Sequence, residues 1–182
     1  VNNLILKCTE AFENYEYAQA KNLVEQFFWG DFADNYIEIV KKRVYQGEGD
    51  ARLSGQYALY RTLLSTVKIF APIMPFIAEE IYQTYFREKG EKEVSIHVSS
   101  WPEAIKVSET KYSEGIWEDF TELLSRIRQE KSNNQQPMNS EIILSLNKED
   151  MSKFKDVLED LRNVTNASEI KEGEFKVEFP AK

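Results

Sequence analysis

The chain has 182 residues, 42% of them hydrophobic and 30% charged, with a formal charge of −8. That is long enough to bury a core and too apolar for a disordered segment, while no apolar run approaches the length of a membrane span. An acidic total also argues against indiscriminate affinity for nucleic acid.

Leu4, Ile5, Cys8, Ala11 and Phe12 recur at spacings of three and four, predicting an amphipathic helix from Val1 to about Asn14. After a break at 14–16 the pattern resumes at Ala18, Leu23, Val24, Phe27 and Phe28. It runs on through Phe32, Tyr36, Ile39, Val40 and Val44, a helix of roughly thirty residues. Phe28, Phe32 and Tyr36 share one stripe, with Trp29, Ala33 and Ile37 beside it, as suits a bundle helix packed on several neighbours. Trp29, Phe32 and Tyr36 are expected in the core rather than as platforms for stacking bases. Gly47-Glu48-Gly49-Asp50, after the basic turn of Lys41, Lys42 and Arg43, ends the helix.

The next helix carries Leu59, Leu63, Val67 and Phe70 and stops at Pro72. Pro75 opens another, whose expected inner face is Ile77, Ile81 and Tyr85 with Phe86 beside them. Residues 87–93 read as a charged turn and 95–112 as irregular. A second unit begins near Ser113, with a helix through Trp117, Phe120, Leu123, Leu124 and Ile127, and a polar link from Ser132 to Asn139. Glu141 to Leu146 reads as a buried strand. Asn147 with Asp150 caps a helix bearing Met151, Phe154, Leu158 and Leu161. Glu174 to Phe179 alternates as a strand, and Lys171-Glu172-Gly173 is expected to turn a hairpin with a strand at 168–171. The predicted fold is mainly α: an antiparallel helical bundle over 1–110, then a small α+β C-terminal subdomain over 111–182.

Little here suggests catalysis. His97 is the single histidine, and nothing nearby orients it as a base. Glu79-Glu80 lacks the Glu-x-x-His pairs of a metal-binding bundle and reads as a solvated helix edge. Asp150-Met151-Ser152-Lys153-Phe154 differs at both ends from the ATP-holding KMSKS loop, and no glycine-rich phosphate loop occurs. No catalytic or metal-binding residue and no cofactor are therefore expected within this chain. Cys8 alone excludes an intramolecular disulfide and a multi-cysteine zinc site. A reducing, cytoplasmic compartment is expected, and the sequons at Asn163 and Asn166 are read as chance matches. The start at Val1 suggests a piece of something longer.

Binding is the remaining capacity. Candidate RNA contacts are Lys41, Lys42 and Arg43 at one helix end, Arg52 and Arg61 beyond the glycine turn, and Arg126, Arg128 and Lys131 in the second unit. Cations position phosphates, and the amides of Asn133, Asn134, Gln135 and Gln136 can read unpaired bases. Basic residues in a last helical turn are also favoured by the helix dipole alone.

Three ordered blocks carry a family resemblance. Trp29, Asp31-Phe32, Asp34, Tyr36, Glu38 and Lys41 fit W-x-D-F-x-D-x-Y-x-E-x-x-K; Ala71-Pro72, Pro75-Phe76 and Glu79-Glu80 fit A-P-x-x-P-F-x-x-E-E; Ser95-Ile96-His97 then leads to Trp101-Pro102. Together they resemble the C-terminal anticodon-binding domain of class I aminoacyl-tRNA synthetases, most similar to the valyl enzymes. The match is strong over the bundle. In the tail it rests on Ile127-Arg128, Lys131 and the strand after Pro137. The resemblance implies valine tRNA isoacceptors and a catalytic domain of the same chain as partners, ATP and Mg used by that catalytic domain, a monomer, and no membrane. The tail looks like the shorter, archaeal-like form of the valyl enzymes, without a long terminal coiled coil. Isoleucyl enzymes share the bundle motifs. A non-catalytic protein-interaction bundle and a stand-alone RNA-binding module also remain open.

Overall fold

A computed structural model describes residues 1–105 and 115–180. It is mainly helical, with a small three-stranded sheet near the C-terminus. The chain gathers into two compact units: Val1–Ile37 with Gly49–Ser108, and Glu38–Glu48 with Glu109–Lys182. The expected boundary at 110 lies outside the described residues, as does the end of the irregular stretch. No helix among the described residues is long and apolar enough to cross a membrane.

In the first unit, α1 (Asn2–Glu13) and α2 (Tyr17–Gln26) meet at a tight turn in which Tyr15 takes a left-handed φ of 61°. Leu4, Ile5 and Cys8 of α1, Val24 of α2 and Ile69 form one buried cluster. The Trp101 indole closes that cluster's edge and donates to Thr9 Oγ1 at 2.8 Å. Helix α4 (Gly49–Phe70) turns through Pro72 into α5 (Pro75–Ile81), with Pro75 opening the helix as expected.

The face of α5 departs from expectation. Ala78, Tyr82 and the expected Phe86 are buried and the expected Ile81 is partly buried on the core, while Ile77 and Tyr85 are exposed. Moving one residue along a helix rotates the face by about 100°. The three inward residues pack with Leu64, Val67, Ala71 and Ile96. The buried Tyr82 hydroxyl finds an acceptor in the Glu93 carbonyl at 3.1 Å, so tyrosine can take a core position without an unpaired polar group.

The long helix is continuous in course but not uniform. Phe27–Tyr36 is π-helical between α2 and α3 (Ile37–Gln46), and Tyr82–Phe86 forms a second π turn. The wider spiral piles aromatic rings spaced four and five apart: Phe28–Phe32 and Phe32–Tyr36 both lie 6.2 Å between centroids, and Phe27–Phe32 6.4 Å. Asn35 Nδ2 donates across one such turn to the Gly30 carbonyl at 2.7 Å. Phe32 is buried as expected, whereas Trp29 is 63% exposed. The core demand is met by the Phe28–Phe32–Tyr36 pile, while in the adjacent stripe Trp29 lies edge-on to Phe28 at 5.0 Å and Ala33 is half-buried.

The second unit takes in Glu38–Glu48, and at Gly47, just past the end of α3, only glycine fits because a Cβ there would collide with the Arg43 carbonyl. Helix α6 (Ile116–Asn133) buries Phe120, Leu123, Leu124 and Ile127. Strand β1 (Ile142–Leu146) leads through the Asn147 cap, whose Oδ1 accepts from Asp150 N at 2.8 Å, into α7 (Lys148–Lys153). The expected single helix over Met151 to Leu161 is instead broken by a 3-10 turn at Lys155–Val157 before α8 (Leu158–Thr165). Phe154 sits at that break and packs edge-on to Phe120, 5.5 Å between centroids.

Strands β2 (Ala167–Glu172) and β3 (Lys176–Glu178) are present but do not pair as a hairpin. The sheet order is β2-β1-β3, with β1 parallel to β2 and antiparallel to β3. Both outer strands pair with β1 because it is the apolar strand, with Ile142, Leu144 and Leu146 fully buried. The outer strands are mostly charged and take the solvated edges.

Candidate nucleic-acid interface

The end of α3 places three successive cations about 100° apart around the helix, each on a different partner. Lys41 is exposed and pairs with Glu38 of its own helix at 3.2 Å. Lys42 donates to Asn163 Oδ1 on α8 at 3.2 Å. Arg43 grips Asp160 with two nitrogens, Nε to Oδ1 at 3.1 Å and Nη2 to Oδ2. Asp160 is buried, so that guanidinium is committed to the fold of its unit.

In α4, Arg52 is exposed in the first turn and Arg61 half-buried nine residues on. Nine residues make two and a half turns, so the two arginines occupy opposite faces. Lys68, seven residues beyond Arg61, shares the Arg61 face and donates to the Ser100 carbonyl at 3.1 Å. Arg61 Nε is buried without a hydrogen-bond partner among the described residues. The structure thus brings Arg61 and Lys68 to one side, not Arg52 and Arg61.

In α6, Arg126 is exposed and lies over the Phe175 ring, 4.0 Å from its centroid. Arg128 is half-buried. Lys131 departs from the expectation of a phosphate contact. It is 1% exposed, and its ammonium donates to the carbonyls of Met138 (2.8 Å), Ser140 (2.8 Å) and Thr165 (2.6 Å). Those three acceptors compensate a burial that holds its pKa below the usual lysine value of 10.5. The cation fastens the polar link to the α8–β2 corner.

Glu79 also has more to do than border a helix. Its carboxylate accepts from Ser95 Oγ at 2.8 Å, Ile96 N at 3.0 Å and Gln83 Nε2 at 2.7 Å. Burial alone would raise its pKa; the hydrogen bonds outweigh that and hold it below the ordinary 4.5. His97, in the 3-10 turn Ile96–Val98 that Glu79 anchors, lies 3.2 Å from the Pro75 carbonyl through Nε2. The histidine ties the turn to the α5 corner.

The family model for the anticodon-binding domain of tRNA ligase matches residues 1–176. The chain belongs to this family. Curated relatives include the valine–tRNA ligase of Ehrlichia ruminantium (strain Welgevonden), 38% identical over 172 residues, 92% of this chain and 20% of that protein. The valine–tRNA ligase of Rickettsia felis is 37% identical over 171 residues, again 92% of the chain and 19% of the relative. That of Cutibacterium acnes is 36% identical over 146 residues, 79% of the chain and 16% of the relative. The chain spans about a fifth of the length of the first two.

Within this anticodon-binding domain the three motif blocks have separate physical tasks. The tryptophan-to-lysine block builds the π-helical pile and enters α3. The proline block makes the α4–α5 corner and supplies Glu79, and the serine-isoleucine-histidine block is the turn that Glu79 holds. Sequence reasoning found these blocks but not Asp160 or Asn163 as partners of the basic cluster. Asp160 beside Leu161 at the buried face of a helix is the signal that marks a paired carboxylate.

Proposed function

We propose that this chain binds the anticodon stem and loop of a tRNA as the C-terminal part of a valine–tRNA ligase. The observation that carries this is the match to valine–tRNA ligases over 92% of the chain at 34–38% identity. It favours valine over the isoleucyl reading that the motifs left open. The helical part, 1–110, holds the anticodon stem and loop, and the tail, 111–182, is a small subdomain with which residues 38–48 group. The catalytic part of the same polypeptide joins valine to the tRNA with ATP and Mg, and the protein works as a monomer in the cytoplasm, away from membranes.

Phosphate contacts fall to the cations that stand at the surface, Lys41, Lys42, Arg52 and Arg126, with Arg61 and Arg128 at half-buried positions. The test is charge reversal at Arg52 and Arg61, with binding to valine tRNA measured at low and at moderate salt. Each lost phosphate contact weakens binding and flattens its salt dependence by roughly one unit of slope. Unchanged affinity at low salt would remove both residues from the interface.

A further inference from the structure

Where α1 turns into α2 and α4 turns into α5, the first unit holds an apolar pocket of about 460 Å³, lined by Phe12, Tyr17, Ala18, Lys21, Pro72 and Ile73. The α1–α2 turn builds one wall. Phe12 is held edge-on to Trp101 at 5.2 Å and lies 5.8 Å from Tyr17, ring centre to ring centre. Tyr15, in its left-handed conformation, stands edge-on to Tyr17 at 6.2 Å and is 78% exposed. Glycine or asparagine ordinarily ends a helix in that conformation, so the aromatic ring is kept there at a conformational cost. The other wall is the proline corner, which runs on into Met74 and Phe76, both exposed. Phe76 is 90% exposed, more than any other large hydrophobic side chain among the described residues. Within the proline motif block, Pro75 and Glu79 serve the fold and Phe76 does not.

Charge favours a polypeptide over RNA at this end. Lys21 is the one cation among the described residues that line the pocket, and Glu25 pairs with it at 2.6 Å. The exposed charges next in sequence to Phe12 and Tyr17 are the acids Glu13 and Glu16, and Glu80 stands exposed on α5. Arg52, a candidate phosphate contact, lies in the first turn of α4 and Pro72 just past its last, about 30 Å away at 1.5 Å per residue. Exposed tyrosine, phenylalanine and methionine with few charges is the make-up of the core of a protein–protein interface. The chain spans about a fifth of the length of the Ehrlichia and Rickettsia felis ligases it matches, so a polypeptide of that length brings a large tethered body to this domain. Tethering raises the effective concentration of such a body, so a small apolar face is enough to dock it.

We propose that the catalytic part of the same polypeptide docks on this end of the first unit, seating an apolar side chain between Tyr17 and Pro72 and covering Phe76. The inference rests on the valine–tRNA ligase reading and deepens it, by giving the apolar end of α4 to protein and leaving the Arg52 end to RNA.

The test is cysteine labelling, with Phe76→Cys and Tyr17→Cys each made in this chain and in the full-length polypeptide. Cys8 is fully buried and burial pushes its thiol up to about 11, so it stays silent. Maleimide modification at each introduced site, read by peptide mass spectrometry with no RNA present, should be about tenfold or more slower in the full-length polypeptide. Equal rates in the two forms would overturn the docking proposal. So would a slowing that develops only when valine tRNA is added, which would give this face to RNA. Binding of valine tRNA by the same preparations, measured alongside, reports separately on the anticodon-binding reading.

Discussion

Arg43 and Asp160, 117 positions apart in sequence, are joined by an Nε–Oδ1 hydrogen bond of 3.1 Å and a second contact from Nη2 to Oδ2. The pair fastens the end of α3 to α8, which is why residues 38–48 group with the C-terminal unit. Asp160 has 7% of its side chain exposed and Arg43 29%, so removal of either leaves its partner largely without solvent. Arg43→Ala or Asp160→Ala should lower unfolding stability by about 2–3 kcal/mol, below the fully buried range because Arg43 retains some water. Urea denaturation of the two single variants and the double variant measures it. The double variant should lose less than the sum.

Lys131→Met keeps the aliphatic stem and orphans three carbonyls. At neutral pH it should cost about 3 kcal/mol in urea denaturation. The pH dependence has a definite sign. Burial holds the folded pKa below 10.5, so between that lowered value and 10.5 the unfolded chain binds more protons. Stability therefore rises as pH rises through that window, and this pH-dependent gain is absent below the folded pKa, where the hydrogen bonds to the three carbonyls remain. Denaturation from pH 8 upward should show this slope in the parent and not in the variant.

Glu79 behaves oppositely. Its folded pKa lies below 4.5, so its contribution is present above 4.5 and disappears as pH falls through the lower folded value. Glu79→Gln should flatten the acid limb of the stability curve. It should also speed amide hydrogen exchange at Ile96, whose N–H that carboxylate accepts at 3.0 Å.

Much of the helical layout was readable from apolar spacing and punctuation, because the Gly47–Asp50 stop, Pro75 and the Asn147 cap are local signals. Two of the failures share a cause, dependence on distant partners, and a third is local. The α5 face was set by its packing on Leu64, Val67 and Ile96, and the strand order by competition for β1. The π-helical course of 27–36 depends on ring stacking that an α-helical wheel does not contain. Among the candidate contacts, spacing located the cations but not the acceptors that hold Arg43 and Lys131 inside.

The π-helical pile makes a sharp contrast between neighbouring aromatics. Phe32 is 3% exposed, stacks on Tyr36 and packs tilted against Phe28, so Phe32→Ala should cost about 3–5 kcal/mol. Trp29, 63% exposed and edge-on to Phe28, should cost only about 0.5–1 kcal/mol when replaced by alanine. Thermal or urea unfolding of the two variants side by side checks the assignment of inner and outer stripes.

The central claim is that this chain grips a valine tRNA at its anticodon. Its most direct test is the affinity of the chain for valine tRNA, for the same tRNA with an altered anticodon, and for isoleucine tRNA, all at one moderate salt concentration. We predict tighter binding of the unaltered valine tRNA, with a loss of about tenfold or more for each of the others, as for one or two mismatched base contacts. Equal affinity for all three would contradict the claim, since phosphate contacts alone cannot tell them apart.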